Sequence, residues 1–317
     1  CETREDPHSP QVLGLAKVLW QGTELYQAAT ADKAILERFG HGTPDDWIER
    51  KLYRPHKNLG ILLMFLIDLG LFGPIGITVW AVQMIWVPFF AAGVINGIGH
   101  YWGYRNFDSP DAATNILPWG ILIGGEELHN NHHAFPSSAK LSSKPWEFDL
   151  GWFYIRGLVA LGLAKVRKIS PSLAVVSGKD RIDMDTLRAV ILNRMNVLAR
   201  YVHEVWMPVS KSELCQSPES CRRLYRQVRK ILLQGEFRMT ERSRLQLQRV
   251  LQESQSLRTV YQYRDRLKDV WEKTASSQDI LLQSLQDWCR QAESSGIKAL
   301  QDFARDLRSY AVQPSAM

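Results

Sequence analysis

The chain has 317 residues, of which 39 are Lys or Arg and 33 are Asp or Glu, and 45% of it is apolar. These values exclude a wholly disordered chain, a collagen and a small disulfide-stabilised protein. The charge is unevenly distributed, because 23 of the basic and 16 of the acidic residues follow residue 180. The sequence therefore predicts two units, residues 1–180 with a net charge of −1 and residues 181–317 with a net charge of +7.

The first part of the chain changes from mixed to strongly apolar. Pro10–Phe39 predicts short amphipathic helices. Leu59–Gly73 contains one charge, Asp68, and Ile75–Ile95 is a run of 21 uncharged residues, where a membrane-spanning helix needs about 20. We expect a transmembrane hairpin with a corner at Gly73-Pro74; the alternative is a buried hairpin in a soluble bundle. Basic residues at both ends favour a cytoplasmic location for both, namely Lys51, Arg54, Lys57 and Arg105.

The remainder is predicted to be helical. Gly151–Lys168 is amphipathic with several basic residues, which favours a helix in the membrane interface; an ordinary docking helix is the alternative. Apolar positions recur at helical spacing through the tail. A helix start is predicted at Ser217-Pro218 and another at Ser276 with Asp279, and Gly296 separates the last two helices.

The cysteines indicate a reduced compartment and no cysteine-built zinc site. None of the four forms a CxxC pair; they are Cys1, Cys215, Cys221 and Cys289. The chain begins at Cys1 rather than Met and shows no signal peptide, so we expect a fragment with more sequence upstream.

Half of the eight histidines fall in a short stretch of the chain: His100, His129, His132 and His133. The last three form HNNHH, and positions i, i+3 and i+4 share one face of a helix. Converging imidazoles are the ligands of iron, zinc, copper or nickel, and ligand type alone does not choose among them. The alternative is a polar helix with incidental histidines.

Three further side chains complete the predicted site. Asn96 and His100 are four residues apart at the end of the second apolar run, so we expect them on one helical face at the membrane surface. Glu126 precedes His129 by one helical turn and is placed to fix the tautomer of an imidazole.

The segments GGEEL-HNNHH and NGIGHYWGYRNFD resemble the third histidine box and the preceding Asn/His pair of the membrane-bound fatty acid desaturases. The similarity begins at Asp6–Ser9, continues through Gly40–Tyr53 and reaches Asp149–Val166, about half the chain. It is greatest to the bacterial Δ9-type acyl desaturases.

The resemblance implies a specific chemistry. Members of the family use two irons held by histidines, with O2 and two electrons, to introduce a cis double bond into a saturated fatty acyl chain. By match to the motif, the iron ligands would be His100, His129, His132 and His133, with Asn96 binding directly or through a water. The apolar hairpin would help to enclose the acyl chain.

The sequence also departs from the family pattern. The family needs two more histidine boxes upstream, and neither is present in the 317 residues. The resemblance therefore predicts that this chain by itself binds iron poorly and is inactive.

The tail has a weaker resemblance of its own. Met239–Val312 is similar to the C-terminal helical part of certain insertion-sequence transposases, but no acidic catalytic triad can be placed in it. The basic bundle could bind nucleic acid or anionic headgroups, although we expect a solvated helical extension packed on the desaturase part, with nucleic acid not a partner.

The sequence thus predicts an all-α protein: an integral-membrane desaturase core with one hairpin and cytoplasmic cap helices, followed by a helical extension. We expect the bacterial inner membrane, with the di-iron site facing the cytoplasm. The partners would be membrane lipid, an acyl chain on CoA, carrier protein or phospholipid, and a ferredoxin-like electron donor docked near Arg105, Lys140 and Lys144. Two alternatives stay open: a membrane di-iron hydroxylase, and a non-catalytic membrane or nucleic-acid interaction protein with a relic metal site.

Overall fold

The computed structural model describes residues 6–40, 42, 45–56, 58–214, 235–272 and 277–312. These residues are mostly helical, and their strands are limited to two short two-stranded pairs, which confirms the predicted all-α class. The predicted helix start at Ser217-Pro218 lies outside the described residues, as do Cys1, Cys215 and Cys221.

Three helices open the fold, as the amphipathic pattern predicts: α1 (Pro10–Leu13), α2 (Leu15–Ala31) and α3 (Lys33–Phe39). Asp32 caps α3 by accepting a hydrogen bond from the backbone N–H of Ala34 at 2.9 Å. A short π-helical turn, Glu49–Tyr53, follows.

The apolar hairpin forms as predicted. Helix α4 (Leu59–Phe72) and helix α5 (Ile75–Pro88) meet at Gly73, whose φ of +59° is readily accessible only to glycine. After Pro88, which has no N–H to donate, the helix continues in π register over Phe89–Ile98. Helix α2 packs along this π-helical segment, where Gly22 lies against Ala92 and Gly93 lies against Leu19, so that the two backbones approach closely.

The second arm of the hairpin is long and apolar enough to cross a membrane. Among the described residues one helix meets this criterion, the continuous 24-residue helix Ile75–Ile98. Only 6% of its most apolar 18-residue window is buried. Helix α4 is shorter and equally apolar. Little of this arm is therefore buried against the described residues.

A compact cap follows the hairpin. Strand β1 (Trp119–Gly120) pairs in parallel with β2 (Phe148–Asp149), and the HNNHH segment forms α6 (His129–Ala134). Helix α7 (Leu150–Ala160) begins at Asp149, which accepts a hydrogen bond from Trp152 N–H at 2.8 Å. The prediction that this helix extends to Lys168 is wrong, because the chain turns at Gly162 with a φ of +72° and then runs without helix.

The tail forms a helical bundle around one core. Its described elements are β3 (Leu173–Val175), α8 (Met184–Leu192), α9 (Arg194–Tyr201), a π-helical segment (Val202–Trp206), α10 (Met207–Leu214), α11 (Glu241–Glu253), α12 (Gln255–Glu272), α13 (Gln278–Glu293), α14 (Lys298–Arg308) and β4 (Tyr310–Val312). Strands β3 and β4 pair antiparallel, so a segment before residue 180 packs with the bundle.

The bundle core uses the apolar positions that the helical spacing predicts. Leu257, Leu285, Leu300 and Leu307 are fully buried there, and Trp288 is nearly so. Ser277 is the N-cap of α13, where the sequence indicated Ser276, which lies outside the described residues. Gly296 separates α13 from α14 as predicted, with a φ of +75°.

Candidate metal centre

Three histidines from two distant parts of the chain converge beside the end of the hairpin. His100, His129 and His133 each offer a nitrogen, and these nitrogens lie within 4.8 Å of one another. The Nε2 atoms of His100 and His129 are 3.0 Å apart, so one ring donates to the other. Both rings are almost wholly buried.

His100 reaches the cluster from the turn that follows the π-helical segment. The π-helical segment stops at Ile98, because Thr114 takes the Gly99 carbonyl through its N–H at 2.6 Å and its hydroxyl at 2.8 Å. The N–H groups of Tyr101 and Trp102 still donate to the Ile98 carbonyl, so His100 lies in a turn that continues the helix, and a shared face for Asn96 and His100 stays a prediction.

Asp111 holds the third imidazole. Its Oδ2 lies 2.7 Å from Nδ1 of His133, so Nδ1 carries the proton and Nε2 is left to face the cluster. Burial raises the pKa of Asp111, but the hydrogen bond and charge of His133 outweigh burial and hold the pKa well below its usual range. Asp111 is thus ionised and orients its partner.

His129 lies deep in the cluster, with 4% of its surface exposed. Burial lowers the pKa of His129 to about 4, so the ring is neutral near pH 7 and its nitrogens can act as ligands. Its Nδ1 is buried and has no hydrogen-bond partner among the residues that the structure describes. Oε2 of Glu126 lies 3.9 Å away, an ion-pair distance that is too long for a hydrogen bond.

The other two predicted ligands, His132 and Asn96, are not part of the three-histidine group. The ring of His132 is centred 6.0 Å from that of His129, and its nitrogens are not part of the three-histidine group. The side-chain amide of Asn96 donates to the Ala91 carbonyl at 2.9 Å, within the π-helical segment.

The two asparagines of HNNHH anchor α6 to the preceding loop. The side-chain oxygen of Asn130 accepts hydrogen bonds from the backbone N–H groups of Asn106 and Phe107 at 2.8 and 2.9 Å. The side-chain NH2 of Asn130 donates to the Phe107 carbonyl and to Ser109 Oγ. Asn131 donates to Oε2 of Glu147 at 2.8 Å. Because these groups are buried, their bonds fix the position of α6.

Glu147 ties together three parts of the cap, namely residues 104–106, α6 and its own loop. Its carboxylate accepts hydrogen bonds from the Tyr104 hydroxyl, the Asn106 amide and the Ser143 N–H, besides that from Asn131. Arg105 braces the same loop by donating to three backbone carbonyls, those of Ser109, Asp111 and Ala113. Its guanidinium is thus engaged inside the cap; the predicted docking of an electron donor depends on Lys140 and Lys144.

The sequence reasoning missed Asp111, Asn130, Asn131 and Glu147. Two of them lie inside the HNNHH motif, so a reading of that motif for its asparagines as well as its histidines would have found them. Asp111 precedes His133 by 22 residues, and no local spacing indicates their contact.

A comparison with protein families assigns the part of the chain that contains this cluster. Residues 3–147 match the family model described as fatty acid desaturase. This part of the chain is thus similar to the fatty acid desaturases. This confirms the predicted resemblance.

The curated relatives of the desaturase part are desaturases as well. The chain is 38% identical over 114 residues to a sn-1 stearoyl-lipid 9-desaturase of Anabaena variabilis, covering 35% of this chain and 39% of the relative. It is 32% identical over 181 residues to the Synechocystis protein of the same name, covering 56% and 54%. An acyl-CoA 5-desaturase of Anemone leveillei is 32% identical over 174 residues, covering 53% and 51%. The chain thus spans about half the length of such relatives.

The tail matches a different family model. Residues 197–314 match the model described as transposase, which agrees with the resemblance noted for Met239–Val312. No solved structure matches the chain.

His100 and His129 have the nitrogen spacing of two ligands of one metal ion, and His133 lies beside them. With metal–nitrogen bonds of about 2.1 Å, two ligands at a right angle lie about 3.0 Å apart. Nε2 of His100 and Nε2 of His129 have a separation of 3.0 Å. The buried, unpartnered Nδ1 of His129 and the ionised Asp111 behind His133 also suit a cation.

Proposed function

We propose that this chain serves in the oxygen-dependent introduction of a cis double bond into a saturated fatty acyl chain, at a histidine-ligated iron centre. The observation that carries the proposal is the convergence of His100, His129 and His133 within a segment that matches the desaturase family model.

The proposed ligands of the di-iron centre are His100, His129, His132 and His133, with Asn96 binding directly or through a water. Glu126 would orient His129 and Asp111 would orient His133. Iron bound there would supply the redox chemistry with O2, which together with two electrons and two protons from outside removes two hydrogens from the acyl chain and yields two waters. The chain's own part is to hold the imidazoles neutral, oriented and shielded from water.

The hairpin and the cap suggest where the substrate lies. The exposed apolar surfaces of α4 and α5 suit the hydrocarbon region of a membrane, and the cluster lies just beyond the end of Phe89–Ile98. We propose that the protein is integral to the bacterial inner membrane with the metal site at the cytoplasmic surface.

The acyl chain would be linked to phospholipid, CoA or a carrier protein; relatives are named for stearoyl-lipid and acyl-CoA substrates. A ferredoxin-like donor would supply the electrons. The tail, from about residue 181 and with β3 packed on it, would be a non-catalytic extension that does not bind nucleic acid.

A segment exchange tests the proposal. Residues 3–147 would replace the matching part of the Synechocystis relative, and fatty acids of a desaturase-deficient host would be measured by gas chromatography with and without O2. We expect oxygen-dependent cis-monounsaturated product, which is lost in His129→Ala and His133→Ala. His56→Ala is the matched control, because this exposed histidine lies outside the cluster.

The outcomes separate the alternatives. An iron-loaded chimera that makes no product, beside an active parent enzyme, would contradict the proposal. A hydroxylated acyl chain in place of an olefin would favour the hydroxylase.

A further inference from the structure

Helix α7 is apolar and nevertheless buries none of its residues. Phe153 and Tyr154 are each 61% exposed, and the apolar exposure continues through Leu158, Leu161 and Leu163. A helix of this composition ordinarily packs its apolar side chains against a partner.

A neighbouring loop extends this exposed apolar area. Strand pairing brings Trp119 beside Phe148, directly before α7, and both rings are exposed. Gly151 N–H donates to the Gly124 carbonyl at 3.1 Å, so the loop after β1 and the start of α7 are joined. Ile121 and Leu122 on that loop are more than half exposed.

Buried carboxylates hold this area in shape. Glu127 is 2% exposed and accepts the N–H groups of Leu122 and Ile123. Asp149 is 5% exposed and accepts the N–H groups of Leu141 and Trp152. The exposed apolar side chains therefore belong to a backbone that is fixed by buried hydrogen bonds.

The charge of the same stretch has one sign. Residues 150–169 contain no Asp or Glu, and their basic residues are all exposed: Arg156, Lys165, Arg167 and Lys168. Basic residues beside exposed aromatic and aliphatic side chains are complementary to anionic headgroups above a hydrocarbon layer.

We propose that this area, named the α7 surface, lies in the interfacial layer of a bilayer that contains anionic lipid; its residues are Trp119, Ile121, Leu122, Phe148, Phe153, Tyr154 and Leu158. The inference rests on the proposed membrane location of the hairpin and adds a second, separate membrane contact. It would hold the cap, and with it the histidine cluster, against the headgroups.

Depth-dependent quenching of single labels tests the inference on the full chain. Native cysteines would be replaced, an environment-sensitive fluorophore attached at Leu158→Cys, and the protein reconstituted in vesicles of phosphatidylcholine and phosphatidylglycerol. Ile85→Cys on the exposed face of α5 is the positive control, and Gln252→Cys on exposed α11 is the negative control. We expect lipids brominated on their acyl chains to quench the labels at 158 and 85 and to leave the label at 252 unchanged.

Two failures are distinguishable. Quenching at 85 without quenching at 158 would overturn the proposed contact of the α7 surface with the bilayer. The hairpin would still lie in the membrane, and α7 would then be covered by protein. No quenching at 85 would overturn the membrane location itself, and the α7 inference with it.

The role of the basic residues after α7 is tested separately. Replacing Lys165, Arg167 and Lys168 by Gln would reduce the quenching at 158 and leave that at 85 unchanged. Unchanged quenching at 158 would overturn the role of anionic lipid. Circular dichroism of each variant checks that the fold is retained.

Discussion

The contact between Asp111 and His133 determines which imidazole nitrogen faces the cluster. Oδ2 of Asp111 lies 2.7 Å from Nδ1 of His133, while Oδ1 is held by the Ser109 hydroxyl and the Ala113 N–H. The carboxylate is therefore fixed on both sides, and it fixes the ring in turn. Partners of this kind typically affect metal affinity strongly although they never touch the metal.

Replacing Asp111 by Asn tests this role. The amide keeps the size of the side chain but loses the charge that favours Nδ1–H, so we expect Co²⁺ affinity of the purified chain to fall about 10- to 100-fold. Isothermal titration measures it. Glu126→Gln is the matched control; it should change affinity less, because Glu126 lies 3.9 Å from His129 and is 39% exposed. A larger loss in Glu126→Gln than in Asp111→Asn would contradict the assignment.

At the scale of elements, α6 depends on the loop that precedes it. Asn130 is fully buried and makes four hydrogen bonds to residues 106, 107 and 109. The loop that contains Asp111 and the helix that contains the histidines thus form one unit.

Asn130→Ala should detach the loop that contains Asp111 from α6. The change leaves two buried backbone N–H groups without their acceptor, so we expect a loss of about 3 kcal/mol in the free energy of unfolding. Hydrogen exchange should rise at the amides of Asn106 and Phe107 first. Gln248→Ala on exposed α11 is the control; equal exchange in the two variants would show that Asn130 does not anchor the loop.

The elements and the histidine motif were predictable from local patterns, whereas the links between them were not. Hydrophobic spacing predicted the hairpin and the tail helices, and HNNHH predicted α6. The early end of α7 depends on a turn at Gly162, and the contact that holds the Gly99 carbonyl beside His100 depends on Thr114, 15 residues further along the chain. Spacing alone does not encode such contacts.

At the scale of the whole molecule, one buried ion cluster joins the cap to the tail. Arg264 on α12 is 2% exposed and lies 2.5 Å from Oδ2 of Asp108, with Lys268 at 3.2 Å from the same oxygen. Phe107 and Ala134 pack on Met195 of α9 beside it. Asp108 is in the same loop as Asp111, so the bundle supports the loop that orients His133.

Asp108→Asn should destabilise the folded chain by about 3 kcal/mol, because it removes the carboxylate that neutralises a buried Arg264. Asp302→Asn in the exposed pair with Lys298 is the control and should cost under about 0.5 kcal/mol. Chemical denaturation followed by tryptophan fluorescence measures both. Equal losses would contradict a special role for Asp108.

The same cluster gives a pH dependence. Burial raises the pKa of Asp108, but Lys268 and Arg264 outweigh burial and lower it below the ordinary 3.8. The ionised carboxylate therefore stabilises the fold above about pH 4, and that stabilisation is lost as the pH falls further. Asp108→Asn should show a weaker loss of stability over this acid range; an identical acid profile for the parent and the variant would contradict the ion cluster.

The most direct test of the account is a Co²⁺ titration of the full chain in nanodiscs, followed by the visible absorption of the bound ion. Three converging imidazoles predict that one Co²⁺ ion binds per chain, weakly because the two upstream histidine boxes of the family are not in these residues. Binding should be lost in His129→Ala and retained in His203→Ala, an exposed histidine outside the cluster. No binding, or binding that survives His129→Ala, would contradict the metal centre on which the proposed function depends.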